Sequence, residues 1–124
     1  MGVYHLTPTA YDHLVQLTDY GIDTWGQRRT YDYVRELYAG FQYVADRHDA
    51  LPKRTRLTVA LKIQMHRVGS HYIAFVVFTP DVVAITSILH QHMDVSTRLR
   101  ELQALTDKEV GDMRAAFLRS MFKP

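Results

Sequence analysis

The chain has 124 residues, 47% of them apolar and 23% charged, and 15 Lys and Arg against 13 Asp and Glu leave a net charge of only +2. This balance suits one folded domain with a single core, not a disordered tail or two undersized domains, and it permits contact with nucleic acid or an acidic protein without demanding either. The absence of cysteine excludes disulfides, thiolate metal sites and a cysteine nucleophile. With no apolar run near the ~20 residues of a bilayer span and no signal-peptide pattern, a cytoplasmic protein without membrane contact is expected.

Val3 to Leu6 reads as a short strand closed by Thr7-Pro8, where threonine suits a helix N-cap and proline the first helical position. The helix that follows places Ala10, Leu14 and Leu17 on one stripe and Asp12, His13, Gln16 and Asp19 on its polar face, and Gly21 is expected to end it. A second helix is expected from about Gly26 to Asp46, because Tyr31, Val34, Leu37, Phe41 and Val44 recur every three or four residues. The short link between them makes an antiparallel hairpin, with Trp25 plugging its open end. The tyrosines of the second helix read as core aromatics with their hydroxyls at the rim, rather than as a platform for stacked bases.

From Leu57 the period drops to two, predicting one strand to about His66 with an apolar face and a polar or basic face. Val68-Gly69-Ser70 is a turn, and His71 to Phe78 is so uniformly apolar that it reads as the central strand, needing cover on both faces. After a turn at Thr79-Pro80-Asp81, Val82 to His90 completes an antiparallel meander. Beyond Asp94 the pattern is helical again, with Thr106-Asp107-Lys108-Glu109 as a capping box opening a further helix whose stripe is Val110, Met113, Phe117 and Met121. That stripe is expected to pack on the chain's own sheet or to form a dimer contact. The expected fold is α+β: an N-terminal strand and a helical hairpin packed on a twisted antiparallel sheet, in the order β-α-α-β-β-β, with a C-terminal helix or helices. Residues 1–124 form one domain in this reading, and 96–124 are its helical extension.

Charge clusters at Gln27-Arg28-Arg29 and at Pro52-Lys53-Arg54-Thr55-Arg56, and the second run continues through Lys62, His66 and Arg67 as a basic strip. His90 and His92 share one face of a strand, and His66 or His71 as a third ligand would complete a transition-metal site. Without a second recognisable pair of ligands they read as a half-exposed strand end, and no metal or cofactor is assigned. A metal-independent ribonuclease would use His66, His71, His90 or His92 as general acid and base, with Arg54, Arg56 and Arg67 around the phosphorane. The plainer reading makes Arg54, Arg56, Lys62 and Arg67 a partner-facing surface. There is no Walker loop, GxGxxG, HExxH or GxSxG, so nucleotide-driven and standard hydrolase chemistry lack support.

Taken in order, "YHLTPTAYDHLVQLTDYGIDTWG", "YDYVRELYAGFQYVA", "HRVGSHYIAFVV" and "ITSILHQHMDV" resemble the ParE branch of the ParE/RelE toxin superfamily, over about Tyr4 to Val95. The resemblance implies a helical hairpin over a twisted antiparallel sheet, with a groove for the extended C-terminal segment of a ParD-like antitoxin. It also implies growth inhibition by poisoning DNA gyrase, whereas RelE-type relatives cut messenger RNA on the ribosome; a relic that only binds antitoxin is a third outcome. The assembly implied is a homodimer or a hetero-oligomer with the antitoxin. Ser87, His92 and Val76 stand where similar chains carry arginine, and this weakens a phosphate-clamping ribonuclease. Such toxins also tend to end soon after the Met-Asp segment, whereas this chain continues.

Overall fold

The computed structural model describes residues 1–51, 55–57 (backbone alone) and 62–121. In chain order the elements are β1 (Val3–Leu6), α1 (Pro8–Trp25), α2 (Gln27–Arg47), a single 3-10 turn at His48–Ala50, β2 (Thr55–Leu57), β3 (Lys62–Val68), β4 (His71–Thr79), β5 (Val82–His90) and α3 (Val95–Met121).

Thr7 starts α1 as expected. Its Oγ1 accepts the Ala10 N–H at 3.2 Å and donates to the Thr86 carbonyl at 3.1 Å, so one hydroxyl caps the helix and ties it to β5. The helix does not stop at Gly21. That glycine is buried inside α1, and a Cβ there would stand 2.7 Å from Thr30 Oγ1, so its lack of a side chain lets α1 and α2 approach each other. The chain reverses instead at Gly26, whose φ of 88° lies in the region that only glycine enters freely. Trp25 does not plug the hairpin. It is 53% exposed, with its ring edge-on to Tyr20 and the Arg29 guanidinium above it.

The sheet is mixed and five-stranded, in the order β1-β5-β4-β3-β2, with β1 parallel to β5 and every other pair antiparallel. The uniformly apolar β4 is its middle strand, as the sequence predicts. The single strand expected from Leu57 to His66 is two strands: Leu57 pairs with Lys62 and Thr55 with Gln64 in antiparallel register. Residues 58–61 of that expected strand lie outside the described residues, and alternation alone cannot distinguish one long strand from two paired strands that keep the same parity.

Two apolar clusters flank the sheet. On one face Ile73, Phe75, Val83 and Ile85 meet Ala10, Leu14, Leu37, Phe41 and Val44 of the hairpin. On the other, Ile63, Met65, Ala74, Val76 and Leu89 meet Leu99 and Val110 of α3, which supplies the second cover that β4 requires. The capping box expected at Thr106 is not one: α3 is continuous from Val95 to Met121 and Thr106 is buried within it. The cap is Asp94, whose carboxylate accepts from the Thr97 N–H at 3.2 Å and the Thr97 hydroxyl at 2.7 Å; these bonds hold its carboxyl below the usual carboxylate range. Glu109 serves another helix, accepting the Thr9 N–H of the first turn of α1 at 3.2 Å. Of the remaining stripe, Val110 is fully buried, Met113 and Phe117 are half-buried, and Met121 is exposed.

Candidate functional site

β1 ends at Leu6, opposite Ile85, so the outer edge of β5 beyond that point has no neighbouring strand. A bulge falls here as well: Ala74 pairs with Ser87 and Phe75 with Ile85, leaving Thr86 as the extra residue. The exposed edge is capped from α1, where His13 Nδ1 accepts the Ile88 N–H at 3.1 Å. A ring nitrogen that accepts from an amide carries no proton, so neutral His13 bears its hydrogen on Nε2. Burial, and then the Arg98 charge beside it, push the His13 pKa down and keep the ring neutral.

The β4–β5 register sets His71 directly opposite His90, with ring centroids 5.1 Å apart. The turn after β5 folds back on itself, the Gln91 N–H bonding the Ser70 carbonyl at 2.8 Å and the Met93 N–H bonding the His90 carbonyl at 3.0 Å. His92 donates its N–H to His90 Nδ1 at 3.1 Å, and its ring centroid lies 5.1 Å from that of His90. Tyr33 reaches this group from α2. Its hydroxyl lies 2.6 Å from His71 Nδ1 and accepts the Ser70 N–H at 3.1 Å. Burial, reinforced by the His90 charge, lowers the His71 pKa to about 4.

His13, Tyr33, Ser70, His71, Ile88 and His90 line one cleft of about 620 Å³, between the turn end of the hairpin, the start of β4, the end of β5 and the first turn of α3; His92 stands outside its lining. Its walls include Tyr20, Trp25, Leu17 and Met93; among the described residues its cations are Arg29 and Arg98 and no aspartate or glutamate lines it.

The structure divides the sequence-predicted residues. It brings His71, His90 and His92 together. His66 is elsewhere, stacked on Tyr43 with centroids 5.4 Å apart, and burial lowers its pKa. Arg67 is paired with Tyr72, on the α3 side of the sheet, and its guanidinium donates to the Gly69 carbonyl and to Gln91 Oε1. Lys62 is exposed on β3, Arg56 lies on β2 with its backbone paired to Ile63, and Arg54 lies outside the described residues. Among the described residues, no group of three or more His, Asp or Glu is arranged to hold a metal ion, and no helix is long and apolar enough to cross a membrane. His13, Tyr33 and Arg98 escaped the sequence reading as site residues. His13 adjoins Leu14 at the margin of the buried stripe, the one signal that it faces inward.

A hairpin of helices laid over one face of a mixed sheet is also the fold of a chain in the "Chromosomal ParDE TA system from P. aeruginosa", which aligns with a TM-score of 0.61 at 13% identity, covering 73% of this chain and 96% of that one. The class is thus an α+β domain with a fold found in a ParDE system. No family model matches the sequence. Toxin ParE1 of Mycobacterium tuberculosis, from strains CDC 1551 / Oshkosh and ATCC 25618 / H37Rv alike, is 32% identical over 98 residues, 77% of this chain and 96% of the relative. The chain belongs to the ParE toxin family.

Proposed function

We propose that the chain is the toxin of a type II toxin–antitoxin pair, acting in the cytoplasm by inhibiting DNA gyrase and neutralised by a cognate ParD-like antitoxin. The observation that carries this reading is the 32% identity to Toxin ParE1 across 96% of that protein. Binding rather than bond breaking is favoured by the dispersal of the ribonuclease candidates. His66 is stacked on Tyr43, away from the three clustered histidines, and Arg67 is engaged by Gly69 and Gln91 on the other face of the sheet. The positions where arginine would grip a phosphate hold Ser87, Val76 and His92, the first two buried.

Induction without antitoxin is expected to arrest growth and relax plasmid DNA, and the purified chain to stop gyrase from supercoiling, while transcripts stay intact. Cut transcripts with normal supercoiling would replace this reading with a RelE-like ribosome-dependent ribonuclease. Unimpaired growth would leave a relic that only binds antitoxin.

The antitoxin's extended segment is held in part by acidic residues set against Arg54, Arg56, Lys62 and Arg67; Lys62 and Arg67 are five apart on β3 and so lie on opposite faces of the sheet, not on the one strip the sequence suggests. Reversing Lys62 and Arg67 to glutamate is expected to weaken antitoxin binding about tenfold or more. Unchanged affinity in a titration of the purified pair would move the interface away from these cations.

A further inference from the structure

The cleft beneath the hairpin holds polar groups that the fold itself leaves unpartnered. Its cations among the described residues, Arg29 and Arg98, face a lining without Asp or Glu, although the charges of Asp12 and Glu109 reach His13 from outside the lining. Arg98 pairs with Glu101 through one terminal nitrogen, but its Nε is buried without a partner. Thr30, 3% exposed, lines the same cleft, and its hydroxyl also has none. His13 adds an Nε2–H, because the Ile88 amide already occupies its Nδ1. α2 begins beside the cleft with no capping side chain and no acid in its first turn. Buried donors that the fold leaves unsatisfied call for an explanation, and two of them on the lining of one cleft fit a bound ligand.

The adjoining wall, continuing along the face of α1 that carries His13, is of another kind. Leu17, Tyr20 and Trp25 form an apolar and aromatic surface, with the Arg29 guanidinium 5.7 Å from the Trp25 ring. Such a wall takes a planar ring by stacking, while the Arg98 guanidinium and the His13 N–H suit a phosphate, with Arg29 adding positive charge from the aromatic side. A volume of about 620 Å³ is that of a small-ligand pocket.

We propose that this cleft is a binding site for a phosphorylated ring compound of the nucleoside monophosphate class, with Arg98 and His13 holding the phosphate and the Tyr20–Trp25 wall holding the ring. No bond is made or broken there, and the site does not depend on the identity of the toxin's target.

The test is a calorimetric or NMR titration of the purified chain with adenosine 5′-monophosphate, adenosine, inorganic phosphate and a short acidic peptide. The nucleotide is expected to bind about tenfold or more tightly than adenosine or phosphate alone, because both walls contribute. Arg98→Gln and His13→Asn should each weaken it about tenfold; the asparagine carbonyl keeps an acceptor for the Ile88 N–H, while its shorter amide no longer places a donor at the Nε2 position. Arg35→Gln, outside the cleft, should change nothing. If Arg98→Gln melts early, Arg29→Gln, exposed at the rim, provides a second reading. Absence of nucleotide binding, equal binding of phosphate alone, tighter binding of the peptide, or variants that bind like the parent chain would each overturn the assignment. Gyrase inhibition is read separately, so failure here leaves the proposed toxin activity untouched.

Discussion

His71 shows how one residue acquires a role from its surroundings. Its ring lies between the Tyr33 hydroxyl and His90, and burial lowers its pKa to about 4, so it stays neutral where an unfolded-chain histidine, at about 6.5, takes a proton. Between those values the unfolded chain binds more protons than the folded one, so stability rises with pH. It is fully present above about pH 7 and is lost as pH falls from 6.5 towards 4. The full shift corresponds to about 3 kcal/mol, and solvent screening of a half-buried ring reduces this to about 1–2 kcal/mol. His13 and His66 are shifted in the same direction by burial and add to the trend. Urea unfolding at pH 7 and pH 4.5 is expected to show the loss, and His71→Gln to flatten it; a parent chain equally stable at both pH values would refute the assignment. The sequence reading set His90 and His92 on one face of a strand, but β5 ends at His90, and it is the turn after it that brings the His92 ring back to His90. That His71 joins them follows from the β4–β5 register, which no spacing along the chain reveals.

Each misjudged element owes its form to a contact made elsewhere. Gly21 carries the sequence signal of a helix end, yet it sits inside α1 because the approach of α2 at Thr30 needs a residue without a Cβ, while Gly26 makes the turn. Gly21→Ala is therefore expected to cost about 1–3 kcal/mol through overpacking against Thr30, although alanine is the better helix former. A chemical-denaturation curve would measure it, and a stabilised variant would show that the helices are not in close contact there. Thr106-Asp107-Lys108-Glu109 has the letters of a capping box, but the sheet face beneath α3 buries Leu99, Thr106 and Val110 on one continuous stripe, and burial of that length outweighs a local cap. Where local and distant signals agreed, as at Thr7-Pro8 or along Leu37, Phe41 and Val44, the expected element is the observed one.

At the scale of the whole molecule, α3 is the element on which the sheet depends for its second cover. Without it, Ile63, Met65, Ala74, Val76 and Leu89 would lose their apolar lid. Removal of residues 96–124 is expected to lower the unfolding free energy by about 3–5 kcal/mol and to promote association. Thermal melts and light scattering on the truncated chain would measure both, and an equally stable monomer would show that α3 is dispensable. By itself the sequence determined the α+β class, the hairpin, the central place of β4 and the need for cover on both its faces, because periodicity and capping are local properties written in neighbouring residues. Only the tertiary structure decided that β1 joins parallel to β5, that β2 and β3 are separate strands, and that His13, Tyr33, His71 and Arg98 meet in one cleft. Those outcomes rest on strand register and helix placement, which are set by contacts between residues far apart in the chain.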